Sequence, residues 1–431
     1  MSTQDCPPAV GTVSEYDENP FRRLEQWGEH GDVVRITGSE TDRHVLSHPS
    51  DIERMFFEHQ DILEKHMVGQ TSVATKSVGS VYGDQWRAQR SVQQPYFGPD
   101  RVRSNCSTFG EIARNVVDEV VTGERIDVHE LMRRTAVRVI LRTIFGDEHV
   151  SDDILECSAP IVDWHEAKAA DGEIPPEITD RFESAHATLV DRIDTLIEKR
   201  RRSDDAGKLD DDGGLIPVLL AAGPDSDAQY TTDRIRDEML AKFFSAHRTT
   251  SELWTYCLYT IATSPDIERE CLAELESVAP DGRLGAQHVD ELEYVERVLR
   301  EVLRLYPPAP VLSRQLSADV SLDEYTLPAG DVVYFPAITV HRDERWWDEP
   351  ERFVPNRFET DQPRHSFAYF PFGVGPRRCP GEEFTLAASK VVLGELLSAF
   401  SFERDTNTDQ LGDRPAGVLN SPVYLRPRRR E

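Results

Sequence analysis

The chain has 431 residues, 39% of them hydrophobic and 29% charged, a globular composition long enough to bury a large core. Asp and Glu number 78 against 49 Lys and Arg, only seven of them Lys, and the resulting net charge of −29 is spread along the whole chain and excludes nucleic acid and anionic membranes as partners. Such a surface stays hydrated where salt screens its self-repulsion, which favours the cytosol of an extreme halophile over the plainer reading of an ordinary acidic protein.

At the N-terminus, Met1-Ser-Thr-Gln-Asp-Cys-Pro-Pro lacks a basic region followed by an apolar one, so no signal peptide is expected. No run of about 18 to 20 apolar residues occurs, so no membrane anchor is expected either. Short strand-like runs follow at Val33–Thr37 and His44–Leu46. From about Asp84 the pattern turns helical, beginning with Trp86-Arg-Ala-Gln-Arg90 and continuing through Val137–Phe145. Arg201–Gly214 is polar and glycine-tipped and reads as an exposed loop. A long helix is predicted over Thr232–Ala262, and another over Val289–Leu305 is stopped by Pro307-Pro308. Strands are predicted at Val311–Leu316, Val320–Leu322 and Asp331–Phe335. Pro363–Gly381 holds too many Pro and Gly for a regular element, and the helix Glu382–Phe400 follows it. The expected fold class is mainly α with a smaller β portion. Its β-rich part lies at about 30–50 and 311–340, and its helical part at about 84–306 and 382–400, within one domain spanning 1–431.

The six cysteines, Cys6, Cys106, Cys157, Cys257, Cys271 and Cys379, are far apart and form no Cys-x-x-Cys pair. That argues against a zinc site and a disulfide framework and suits a reduced cytoplasm. The most informative stretch is Phe372-Gly-Val-Gly-Pro-Arg-Arg-Cys379-Pro-Gly381. A thiolate needs donors and positive charge nearby, and a helix N-terminus just after Cys379 supplies both. Gly373, Gly375 and Gly381 let the backbone turn tightly and approach a flat ligand. Phe372 is placed to shield the sulfur, and Arg377 to reach an anionic group on the ligand. The alternative use is a buried structural Cys beside a glycine-rich turn. A dinucleotide-binding loop is weaker, because the third glycine it needs would fall at position 378, which is Arg.

This stretch resembles the haem-binding loop of the cytochrome P450 family, Phe-x-x-Gly-x-Arg-x-Cys-x-Gly, at all five defining positions. Further motifs follow the family's order from about Gly83 to the C-terminus. Glu301-Val-Leu-Arg304 resembles its Glu-x-x-Arg, and Pro350-Glu-Arg352-Phe353 supplies Arg352 as the third member of a buried Glu-Arg-Arg network. His341-Arg-Asp343 also resembles a family segment, with no chemistry assigned. The resemblance implies the P450 fold and haem b (iron protoporphyrin IX) ligated by Cys379. It also implies haem propionates held by Trp86 with Arg90, by Arg314 and by Arg377, since arginine forks match carboxylates.

The family's central helix usually carries Ala-Gly-x-(Asp/Glu)-Thr-Thr over the iron. Here the residues are Ser245-Ala246-His247-Arg248-Thr249-Thr250, which makes Thr249, Arg248 and His247 the candidate catalytic residues. Thr249 keeps the hydroxyl that holds a proton-delivering water. Arg248 replaces the acid and, always protonated, cannot relay protons. Either Arg248 points to solvent or a carboxylate while Thr249 and water manage the relay, or it binds a carboxylate substrate as in the family's peroxide-using branch. The implied reaction is insertion of one atom of O2 into an apolar organic substrate, with a ferredoxin and ferredoxin reductase as electron donors. A peroxide-driven peroxygenase and a non-catalytic haem-thiolate sensor are the alternatives. The resemblance points to a soluble, cytoplasmic, monomeric enzyme of prokaryotic type, from a halophilic archaeon. It puts pocket walls at about Met67–Val81, Ile161–Ile178, Phe243/Phe244, Val311 and Val418–Leu419.

Overall fold

A computed structural model describes residues 6–18, 20–38, 41–66, 73–169, 174–202, 213–323, 325–359, 365–405, 419 and 421–430. These fall into two compact units. The first takes residues 6–66 and 297–379, and the second the described residues of 73–296 and from 380 onward, with 419.

A six-stranded sheet organises the first unit, in the order Ala9–Thr12, Val33–Thr37, Arg43–Leu46, Val332–Phe335, Leu312–Leu316, Leu63–Lys65. The first pair and the Arg43–Leu46/Val332–Phe335 pair are parallel, and the others antiparallel. Because side chains alternate faces along a strand, Val332 and Tyr334 join Leu24, Trp27, Val34, Ile36 and Val45 in one core cluster. Val333 and Phe335 join Met55, Phe56, Leu316 and Phe370 in another. The hairpin Val320–Leu322/Tyr325–Leu327 lies beside this sheet in sequence and pairs only with itself among the described residues.

The second unit is mainly helical. The central helix Thr232–Ala262 begins where the Thr231 hydroxyl accepts the Arg234 N–H, an N-cap that satisfies one of the orphan donors of the first turn. From Leu253 to Ile261 it is apolar nearly all round, as a helix enclosed by others should be. Burying each Leu or Ile there contributes roughly 1.5–3 kcal/mol. It packs most extensively on helix Val128–Ile140, and Trp254 Nε1 donates to Ser389 Oγ of helix Glu382–Ala399 at 2.7 Å. Helix Pro99–Glu119 covers that same final helix, with Phe109 edge-on to Phe384. A three-stranded sheet, Phe400–Arg404, Tyr424–Arg429 and Ile126–Asp127, completes the unit.

The mainly helical class with a smaller β portion is the observed one, and Val33–Thr37, Val320–Leu322 and Thr232–Ala262 carry the expected bounds. Three elements differ for identifiable reasons. The helix expected from Val289 starts at Glu293, because the Glu274 carboxylate accepts the Tyr294 and Val295 N–H groups at 2.6 and 2.9 Å and ends the preceding turns there. Helical periodicity over Val137–Phe145 is α only to Ile140; Leu141–Phe145 is a π turn closed by left-handed Gly146. The loop expected at Arg201–Gly214 begins after Arg202, the last residue of helix Pro176–Arg202, and its residues 203–212 lie outside the described ones. So do residues 67–72, 170–173 and 418 of the segments expected to line a pocket. Among the described residues no helix is long and apolar enough to cross a membrane.

Candidate functional site: a cysteine loop and a polar turn of the central helix

In the first unit, Glu301 and Arg304 lie one turn apart on helix Glu293–Leu305, and both side chains are 0% exposed. Buried charges persist only when paired and fully hydrogen-bonded, and here every oxygen and nitrogen finds a partner. Arg304 donates Nε and Nη2 to Glu301 at 2.8 and 2.9 Å, Nη1 to the carbonyls of His341 and Pro350, and Nη2 to that of Arg352. The Glu301 carboxylate also accepts the Val354 N–H and Arg357 Nε at 2.8 and 3.0 Å.

The second arginine of this network is therefore Arg357, and the expectation for Arg352 is corrected. The Arg352 side chain is 67% exposed and pairs with Glu349, and only its main-chain carbonyl enters the network. The chain carries two Pro-x-Arg-Phe tetrads in succession, Pro350–Phe353 and Pro355–Phe358. The second one turns its arginine inward. That duplication was the signal available in the sequence.

The network reaches the cysteine loop through His341, a residue to which the motif alone assigned no role. Its ring is wholly buried, and burial together with the Arg304 charge holds its pKa down at about 3, so it stays neutral. Nε2 accepts the Phe370 N–H at 2.9 Å, and the Phe370 carbonyl in turn accepts the Gly373 N–H. The loop then closes on itself: Arg378 N–H donates to the Gly375 carbonyl and Cys379 N–H to that of Phe372. Gly373 and Gly375 have φ of +75° and +70°, a region L side chains rarely adopt, and a Cβ on Gly375 would sit 2.9 Å from the Phe56 ring. Gly381 has φ −90° and caps the final helix without needing glycine's freedom, so the expected turn-making role belongs to the other two. Phe372, Gly373 and Arg377 are partly buried. Arg314, buried on strand Leu312–Leu316, lies with its guanidinium 5.5 Å from the centre of that same Phe56 ring. Within the first unit, Gly375 and Arg314 thus lie against the Phe56 ring and Gly373 against Leu312, on the loop that carries Phe372, Arg377 and Cys379.

All six cysteines are unbridged, and Cys379 is the exposed one. Burial pushes the thiols of Cys106 and Cys157 up to about 11, that of Cys271 to about 12, and that of Cys257 well above its ordinary value. Those four are packing residues, unsuited to being thiolates. No group of three or more His, Cys, Asp or Glu that would enclose a metal occurs among the described residues. What the loop offers is a single sulfur, held by a fixed backbone, with arginines beside it. That donor set fits an iron porphyrin, which brings four ligands of its own and needs one from the protein.

In the second unit, Trp86 and Arg90 lie one turn apart on helix Gly83–Gln93, both partly buried. The central helix carries His247, Arg248 and Thr249. Thr249 Oγ1 donates to the Ser245 carbonyl at 3.0 Å, leaving its oxygen lone pairs to accept from another group. Arg248 Nε is bonded to Glu252 Oε1 at 2.9 Å, one turn on. At about 100° of rotation per residue, Glu252 projects about 40° from Arg248 and about 60° from Thr249, on the arc between them. His247 projects about 160° from Thr249 by the same rotation. It turns instead toward the core, its Nδ1 on the Phe243 carbonyl and its ring 4.9 Å from that of Phe243. Burial holds its pKa down at about 4. Thr249, Arg248 and Glu252 therefore share a side of the helix that His247 does not.

A family model described as Cytochrome P450 matches residues 4–425. The protein LUTEIN DEFICIENT 5, chloroplastic, of Arabidopsis thaliana is 25% identical over 92% of this chain and 72% of its own length. Cyclooctat-9-en-7-ol 5-monooxygenase of Streptomyces melanosporofaciens is 24% identical over 91% of this chain and 87% of its own. Among solved structures, retinoic acid bound cyanobacterial CYP120A1 matches with a TM-score of 0.87 at 19% identity, covering 99% of this chain and 100% of that one, a likeness of fold.

Proposed function

The chain belongs to the cytochrome P450 family, haem b-dependent monooxygenases, and from that premise we propose that it inserts one atom of O2 into an apolar organic substrate, drawing electrons from a separate ferredoxin and its reductase. The observation that carries the reading is the exposed sulfur of Cys379 on a loop braced, through His341, by the buried Glu301–Arg304–Arg357 network. Haem held by such a sulfur would supply the oxygen chemistry.

The protein's own part is to hold, orient and supply protons. Cys379 would hold the haem iron. Arg314 and Arg377 would hold anionic propionates by charge-assisted hydrogen bonds, a role that the family resemblance also gives to Trp86 and Arg90. Thr249 accepts a hydrogen bond from a water and so fixes it at the substrate side. The peroxide-driven alternative requires the Arg248 charge for a substrate carboxylate. Arg248 Nε is already engaged within the helix by Glu252 Oε1, which favours the O2 reading. We also assign the enzyme to a salt-rich cytosol, as a monomer, on the strength of its net charge of −29, and read it as one catalytic domain because the family match runs over residues 4–425.

The test is the optical spectrum of the purified protein after reduction and addition of CO. A strongly red-shifted Soret band is expected, lost in Cys379→Ser. A Cys379→Ser protein with the parent's spectrum and turnover removes the reading. Comparing donor-driven with peroxide-driven turnover, in the parent and in Arg248→Glu, separates the two oxidants.

A further inference from the structure

Glu252 is a carboxylic acid in a place where such a group is expensive. It is 2% exposed on the central helix, and desolvation in such a position disfavours the charged form unless the charge is matched. Oε1 is bonded to Arg248, and the Leu419 N–H also donates to the carboxyl. Oε2 is buried with no hydrogen-bond partner among the described residues. An orphaned, fully buried carboxylate oxygen is rare, whereas a protonated oxygen there would be a donor awaiting an acceptor. Arg248 leaves position 248 without an acid, and Glu252 lies one turn further, projecting between Arg248 and Thr249.

We propose that Glu252 holds the proton that the water bound at Thr249 receives during turnover, so that the acid missing at position 248 is supplied by the next turn of the same helix. The inference rests on the monooxygenase reading above. In the step, the O–H bond of the Glu252 carboxyl breaks and an O–H bond forms on that water, which gives up one of its own protons toward the reaction site. The carboxylate left behind is held by Arg248 until a proton taken up from the bulk solvent restores the acid. Glu252 touches neither substrate nor haem in this scheme and acts through the water.

The surroundings suit a group that changes protonation near neutrality. Burial pushes the Glu252 carboxyl up to about 7, against the opposing pull of Arg248. On helix Ser158–Ala169, Glu166, itself raised by burial, acts on Glu252. His165 of the same helix, held down at about 4 by burial, and His129 of helix Val128–Ile140, lowered chiefly by burial, both feel the Arg248 charge, and Arg133 acts on His129.

The experiment uses the haem-loaded enzyme with Glu252→Gln, Glu252→Asp and the double variant Arg248→Gln/Glu252→Gln, which removes both charges together. Infrared difference spectra between acid and alkaline pH should contain a protonated-carboxyl C=O band in the parent, shifted in Glu252→Asp and missing in both glutamine variants. Donor-driven turnover of the parent should fall as pH rises through about 7, because the acid form is the active one. Turnover in the glutamine variants should be roughly 10- to 100-fold lower and flat in pH, with Glu252→Asp recovering the slope. If the glutamine variants keep the parent's infrared band, or its turnover and pH profile, the proposal is wrong. A parent lacking the thiolate spectrum overturns the monooxygenase reading as well, whereas a normal spectrum with an unaltered Glu252→Gln pH profile overturns this inference alone.

Discussion

Arg352 and Arg357 stand in two successive Pro-x-Arg-Phe tetrads, and burial gives them opposite energetics. The Arg352 side chain makes one exposed pair with Glu349, and such pairs contribute little to stability. Arg357 is bonded to a carboxylate that is itself wholly buried, and it also satisfies the carbonyls of Asp348, Glu349 and Arg352. Removing it leaves Glu301 short of a cation in a dry site, a loss of about 3–5 kcal/mol. Arg357→Ala should therefore unfold at markedly lower denaturant, or yield little soluble protein, while Arg352→Ala should unfold at nearly the parent's midpoint. Chemical denaturation of the two variants side by side checks this. Equal losses would return Arg352 to the network. From sequence the two tetrads look alike, because which arginine faces inward is decided by the path of the chain between Trp347 and Phe358 and not by local composition. Glu252 was hidden for a related reason. Its burial comes from neighbours on other helices, and no motif marks it.

Among the elements, the cysteine loop was the most legible from sequence, because everything that shapes it is contiguous. Glycines at the two positive-φ positions, Arg377 and the sulfur all lie between Phe372 and Gly381. The strands Ala9–Thr12 and Tyr424–Arg429 were not legible, since the first is short and the second is largely arginine, held by pairing with Phe400–Arg404. What the sequence could not display was the loop's foundation. Gly375 lies against Phe56, which is remote in sequence. Gly375→Ala would place an L side chain in the left-handed region, costing about 1–2 kcal/mol, and would also displace the Phe56 ring. The expected outcome is a protein that still folds, holds haem less tightly and converts more readily to a spectrum without thiolate ligation. Haem transfer to an apoprotein acceptor, followed optically, measures this. Retention equal to the parent's would mean the loop tolerates the clash by moving as a whole.

At the scale of the whole molecule, the net charge of −29 was readable from composition alone and needs no coordinates. Its consequence is collective. Exposed pairs such as Arg269–Asp266 and Arg87–Asp84 contribute little each and weaken as salt is added. The excess of acidic groups repels over distances of about 10 Å at 0.1 M salt and about 3 Å at 1 M. If the repulsion among unpaired acids outweighs the attraction within pairs, stability rises with ionic strength. The fold should then be more resistant to heat in 2 M than in 0.05 M potassium chloride, each kcal/mol of relieved repulsion adding roughly 1–2 °C to Tm for a chain of this length. Sucrose, which favours the compact state without screening charge, separates the two causes: it should reproduce only a minor part of the gain. A Tm that stays level or falls between the two chloride concentrations would show that the acidic surface is an ordinary one and would withdraw the salt-rich setting proposed for this enzyme.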